Sequence, residues 1–164
     1  MLFNETIFLL MQRSILLFFL FHFSNVISSS ITVLGNGSAS LCYQAASTGR
    51  SGQSSINTCL LALRDEVLSA EDRSATQINL GIVFNNSFLP NRALQSFERA
   101  GDFEKLLPEI TLNSGNSYFI KMQFFKAIEH YSDSIDQGIR DQSAAFYNTG
   151  LAYEMLKDCL LYTS

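Results

Sequence analysis

Basic clusters are missing from this chain. Its 11 Lys and Arg are scattered among 15 Asp and Glu for a net charge of −4, which leaves no electrostatic footprint for nucleic acid or for an anionic membrane surface. Histidine is scarce as well. Of the two, His22 sits in an apolar N-terminal run and His130 stands beside Glu129; a metal site needs three or four ligands from His, Cys or carboxylates, so no metal is expected and His130 reads as a solvated helix residue. G-x-S-x-G, S-x-x-K and C-x-x-C arrangements are absent beyond residue 28, which removes the usual signals of a serine nucleophile or a redox dithiol. Asp65-Glu66 and Glu71-Asp72 flank a loop and read as caps and solvated charges, not as an acid/base pair. Gly35-Asn36-Gly37 is a turn signal without the preceding strand that a phosphate loop needs. No catalytic residue and no cofactor are therefore expected, and the chain reads as a non-enzyme. Val/Ile/Thr alternation is lacking too, so the expected fold is all-α.

A long apolar run is the next thing missing. The densest one, Ile15 to Phe23, reads ILLFFLFHF, short of the roughly 20 residues a membrane span needs but within the roughly 7–15 of a secretory signal. Met11-Gln12-Arg13-Ser14 supplies a positive start and Val26-Ile27-Ser28 supplies small or branched residues for a cleavage site. Residues 1–28 are thus expected to be a signal peptide cleaved near Ser28–Ser30, with Met1 or Met11 as the start, and the mature chain to be exported to the periplasm. An uncleaved N-terminal membrane anchor is the alternative.

What is present is helical periodicity. Ala39 to Ala46 places Leu41 and Ala45 on one face, and Ile56, Cys59, Leu60 and Leu63 follow at the same spacing. Ser69-Ala70-Glu71-Asp72 has the form of a capping box at the start of a longer helix. Pro90 suits the first turn of the next helix, whose inner stripe is Ala93, Leu94, Phe97 and Ala100, with Gly101 closing it. From Pro108 the plan returns: Ile110, Leu112, Tyr118 and Phe119 on one helix, Phe124, Ala127, Ile128, Tyr131 and Ile135 on the next, ended by Gly138. Asp141 can cap a third round. Cys42 and Cys59 lie on two successive helices, and in an exported chain they are the candidates for a structural disulfide, two buried thiols being the alternative.

Self-similarity decides the organisation. Gly81 and Gly115 are 34 residues apart and Gly150 follows 35 later, each with an aromatic three residues on: Phe84, Tyr118, Tyr153. In the first two units Ala93 and Ala127 lie twelve after the Gly, Phe97 and Tyr131 sixteen, and Ala100 and Ser134 nineteen. Gly and Ala lack bulk where two antiparallel helices approach most closely, and the aromatics fill the space around that contact. The series Leu80-Gly81, Phe84, Ala93, Phe97, Ala100 resembles the tetratricopeptide repeat over about residues 69–158. It departs from that pattern at Gln77 and Thr111, where a large apolar residue is usual, and at Ser114 and Thr149, where Leu is usual.

The resemblance implies antiparallel helix hairpins stacked as a right-handed solenoid. The expected divisions are 29–68, a Ser/Gly-rich lead and divergent helical hairpin; 69–107 and 108–140, two units; and 141–164, a partial third unit with an aberrant tail. That tail, Cys159 to Ser164, resembles translated adapter sequence, so the natural protein is expected to continue into the missing second helix. The resemblance also implies a concave groove that takes a protein or peptide partner, with Ile78, Ile82, Asn85, Leu112, Asn116, Phe119, Tyr147 and Leu151 toward it, Ile78 and Ile82 equally well packing between units. Phe119 or Asn116 replacements are then expected to weaken partner capture without unfolding the array. The function implied is a non-catalytic scaffold or adaptor; a membrane-tethered assembly factor and the helical N-terminal part of a longer enzyme are the alternatives.

Overall fold

The computed structural model describes residues 26–101 and 103–161, with side chains to residue 157. Among these the protein is all-α, with no strand. An extended segment, 26–34, precedes helices α1 (Ser38–Ser47), α2 (Gly52–Asp65), α3 (Ala70–Asn86) and α4 (Pro90–Ala100); a single 3₁₀ turn (Glu104–Leu106) leads into α5 (Leu107–Ile120), α6 (Phe124–Asp136) and α7 (Gln142–Leu161).

Local chemistry accounts for most of these boundaries. The Ser69 hydroxyl accepts from the Asp72 N–H at 3.0 Å, as a capping residue does. The reciprocal half of the expected box differs, because the Asp72 carboxylate takes the Ser69 hydroxyl proton at 2.7 Å and does not reach back to a backbone N–H. Helix α1 has no cap from Gly37; its first amides, Ser38 and Ala39, donate instead to the Glu66 carboxylate from the end of α2. Pro90 stands in the first turn of α4, where its missing N–H costs nothing. Asp141 accepts from the Ser143 hydroxyl and from the Ser143 N–H, bonds that hold its carboxyl below the usual range.

Four helices end the same way. The amide of the residue three beyond the helix returns to a carbonyl five positions earlier: Arg50 to Ala45, Leu89 to Phe84, Gln123 to Tyr118 and Ile139 to Ser134, at 2.8–2.9 Å. The pivot between them must be left-handed. Gly49 and Gly138 supply it freely, whereas Phe88 and Met122, 34 residues apart, are held at φ 55° and 58°.

Contacts across α3 and α4 run in opposite senses along the two helices. Arg92 lies over the Phe84 ring at 4.3 Å, Phe97 lies against Gly81, and the Ser74 hydroxyl donates to the Ala100 carbonyl at 2.5 Å. The pair is therefore antiparallel, and α5 with α6 repeats it through Phe119 on Phe124, Tyr118 on His130 and Gly115 under Tyr131. The hairpins pack in chain order, α1 and α2 against α3, α4 against α5, and α6 against α7. Cys42 and Cys59 form the disulfide, with a Cα separation of 4.8 Å, and tie α1 to α2. Closing a loop of this size contributes about 3 kcal/mol by the chain-entropy argument.

The aromatic and small positions read from the repeat make the core of each hairpin. Leu80, Phe84, Ala93, Phe97 and Ala100 are buried in one cluster; Ala127 and Tyr131 are buried in the next, with Tyr118 packed on its edge. A Cβ at Gly81 would stand 2.2 Å from the enclosed Phe97 ring, and one at Gly115 would stand 2.5 Å from Tyr131, whereas one at Gly150 would meet nothing within 4 Å outside its own helix, and Tyr153 is exposed. Opposite outcomes follow for one substitution. Gly81→Ala is expected to lose about 1–2 kcal/mol because overpacking exceeds the helix-propensity gain. Gly150→Ala in this chain is expected to gain about 0.5–1 kcal/mol from propensity alone. Urea unfolding followed by circular dichroism measures both, and equal shifts in midpoint would refute the close-approach account.

Candidate functional site

Three asparagines, one on each of α3, α5 and α7, hold the backbone of the extended segment. Asn148 Nδ2 donates to the Ile27 carbonyl and its Oδ1 accepts from the Ile27 N–H, both at 2.8 Å. Asn113 does the same for Ser29, at 2.8 and 3.2 Å. Asn79 does the same for Ile31, at 2.7 and 2.9 Å. In extended chain the N–H and C=O of one residue point to the same side, and those of the next residue to the other. Alternate residues therefore face the helices, and each unit of the repeat advances the clamp by two residues, about 6.6 Å of chain. The segment runs from α7 to α3, opposite to the order of the units.

A second layer orients the first. Asn116 Nδ2 donates to the Ile27 carbonyl at 3.0 Å and to the Ser28 hydroxyl at 3.2 Å. Its Oδ1 accepts from the Tyr131 hydroxyl and from Asn148 Nδ2, each at 3.0 Å. Burial holds the Tyr131 phenol far above its ordinary value, so it stays a neutral donor throughout the working pH range. Asn79, Asn113, Asn116 and Asn148 are all 0% exposed, and a primary amide that deep requires partners. The segment's backbone supplies them.

Apolar side chains make the floor beside the clamps. Ile78 and Ile82 belong to the cluster on which Ile31 packs, and Leu112 and Phe119 to the cluster on which Val26 packs, with Leu151 half-buried at its edge. Tyr147 is 46% exposed. Of the residues expected to face a partner, Asn116 touches the segment directly. Asn85 serves the helices instead, its Nδ2 donating to the Asn113 carbonyl and its Oδ1 accepting from the Ser117 hydroxyl. Phe119 is 1% exposed and edge-on to Phe124. Replacing so buried a ring by Ala costs about 3–5 kcal/mol, so Phe119 is a fold residue and not a neutral probe of binding.

Asn79, Asn113 and Asn148 did not stand out in the sequence, although a signal was there: each lies two residues before the repeat glycine, as Asn-Leu-Gly, Asn-Ser-Gly and Asn-Thr-Gly. His130 is also placed differently from expectation. It is half-buried and stacked on Tyr118 with centroids 4.9 Å apart, and burial pushes its imidazole down against the pull of the Asp133 and Glu129 carboxylates.

No family profile, curated protein or solved structure matches this chain. The arrangement is therefore read from its own chemistry. The clamps bind main chain and ignore side-chain identity, but they require an N–H at every second residue. Proline at a clamped position removes that donor and strands a buried amide oxygen, which costs about 1–3 kcal/mol. Ser29→Pro is expected to destabilise the chain by about 1–2 kcal/mol. Ser30→Pro, whose N–H faces away from the clamps, is expected to leave stability within about 0.5 kcal/mol. Denaturant midpoints for the two variants decide it, and a larger loss at Ser30 would contradict the assigned register.

Proposed function

We propose that this chain is a tetratricopeptide-type scaffold that holds an extended polypeptide segment across α3, α5 and α7. The observation that carries the reading is the asparagine ladder, whose 34- and 35-residue spacing matches the repeat and whose members grip alternate backbone units of 26–34. Antiparallel hairpins with small residues at their closest approach support the repeat assignment. Paired main-chain hydrogen bonds provide grip, and the pockets between them provide selectivity, as in other modes of extended-peptide recognition. Placement outside the cytoplasm is supported by the Cys42–Cys59 bond and by the apolar start of the sequence.

The test uses the Ser29→Pro chain, whose own segment no longer satisfies the central clamp. Probed against an array of nine-residue peptides, it is expected to bind those without proline at alternate positions. Adding Asn113→Ala and Asn148→Ala is expected to weaken binding at least tenfold with helicity retained. Peptide binding that survives loss of both asparagines would refute the reading.

One observation favours a membrane-tethered variant of the same function. Among the described residues no helix is long and apolar enough to cross a membrane, and the apolar run Ile15 to Phe23 lies outside them. The cleavage expected near Ser28–Ser30, however, falls inside the clamped run and would detach Ile27 from Asn148. A chain that keeps Ile27 in place is not cut at Ser28–Ser30. N-terminal sequencing of the exported protein distinguishes the two: a first residue between 29 and 31 supports the soluble scaffold, and retention of residues before 26 supports the tether.

A further inference from the structure

The segment meets the helices with its backbone and with Val26, Ile31 and Val33, and leaves space beside it unfilled. Val33 is its one fully buried apolar side chain; Ile27 is 43% and Leu34 89% exposed. Next to Val26 and Ser28 lies a cavity of about 310 Å³, walled by Ala46, Asn85, Phe88 and Ile120. Ser28 presents only a hydroxymethyl group there, engaged by Asn116.

We propose that residues 26–34 are a displaceable occupant of the groove, and that the ligand replacing them is an extended peptide with a large apolar side chain at the place of Ser28, filling that cavity. The inference rests on the peptide-holding function proposed above. Exchange of one extended backbone for another is neutral in the hydrogen bonds of the three clamps, which read only N–H and C=O; replacing Ser28 gives up the 3.2 Å bond from Asn116 to its hydroxyl, while Asn116 keeps the Ile27 carbonyl. Side-chain burial then decides which segment stays. The tethered segment has the advantage of high effective concentration, so a competitor must win through apolar area, and the cavity is where area remains to be gained. Its volume is at the lower end of the roughly 300–1,000 Å³ typical of ligand pockets. Gly35, at φ 123°, joins the segment to α1 through a backbone conformation from which it can swing without side-chain obstruction.

Two labelled peptides test this by fluorescence anisotropy: residues 26–34 as they stand, and the same peptide with Ser28→Phe. The Ser28→Phe peptide is expected to bind the Ser29→Pro chain at least tenfold more tightly than the wild-type chain, and at least fivefold more tightly than the unsubstituted peptide does. On the wild-type chain at saturating Ser28→Phe peptide, the amides of Ile27, Ser29 and Ile31 are expected to lose hydrogen-exchange protection while α3 and α5 keep theirs. That second measurement needs no variant and decides the matter if Ser29→Pro does not fold. Equal, asparagine-dependent affinity for both chains would overturn the inference and leave the peptide-holding function standing. Equal affinity of the two peptides would overturn the assignment of the cavity. Binding to neither chain, with exchange protection unchanged, would overturn both the inference and the function beneath it.

Discussion

Close approach of two helices within each hairpin is the constraint from which the remaining geometry follows. Gly81 lies under Phe97 and Gly115 under Tyr131 with no room for a Cβ, so the rotation of α3 and α5 about their own axes is fixed by where a residue without a side chain must sit. Once that rotation is set, the position two residues before Gly81 and Gly115 is set as well; in α7, where nothing stands over Gly150, the same position is set by the packing of α7 on α6. It turns toward the face shared by α3, α5 and α7, and in all three helices it carries Asn. The ladder is a consequence of the packing period, and its regular spacing is what allows a single extended chain to meet every rung.

Energetically the ladder and its occupant are interdependent. A fully buried primary amide without partners costs more than a typical hydrogen bond returns, about 1–3 kcal/mol against a net gain of about 0.5–1.5 kcal/mol. The four asparagines with no exposed surface therefore favour any state in which a backbone is present over one in which the groove is dry and empty. Water can substitute on the open side, but Asn116 is already committed to the Tyr131 hydroxyl and to Asn148. This asymmetry makes the α5–α7 end of the groove the more rigid part, since its amides are oriented before any chain arrives.

Much of the fold was legible in the sequence because it rests on side chains with strong local preferences. The Ser69 cap, Pro90 in a first turn, the glycine pivot at Gly138 and the Gly–aromatic–Ala phase all mark themselves by residue type. The pairing of Cys42 with Cys59 followed from their placement on successive helices. The site was legible only in part, for two physical reasons. First, helical Asn ordinarily signals a cap or a solvated position, so Asn79, Asn113 and Asn148 carry no distinctive mark, whereas their neighbours Ser114 and Thr149 stand out as departures from the tetratricopeptide pattern. Second, a backbone-mediated contact leaves no mark on the chain that is held. Ile27, Ser29 and Ile31 share no property except the possession of an N–H, and a Ser-rich lead segment reads as a linker whether or not it is clamped.

The two complete hairpins differ at one matched pair of core positions. Phe97 and Tyr131 occupy the same place over their glycines, and fifteen residues before them stand Ile82 and Asn116. Where the ring is Phe, the earlier residue is apolar and buried in the core; where the ring is Tyr, the earlier residue is Asn and receives the phenol proton at 3.0 Å. The two positions are chemically matched in each unit, and exchanging only one of them would leave either a buried hydroxyl or a buried amide short of a partner. Adding one oxygen to the packing ring thus permits a polar residue on the adjacent helix, and that residue places a fourth amide against the bound backbone. The second unit holds both Ser29 and, through Asn116, the carbonyl of Ile27, while the first holds Ile31 alone. Grip is concentrated at the end of the segment nearest α7, so a competing chain that enters there must break the strongest contacts first, whereas one that enters at α3 can replace the segment stepwise from its weaker end.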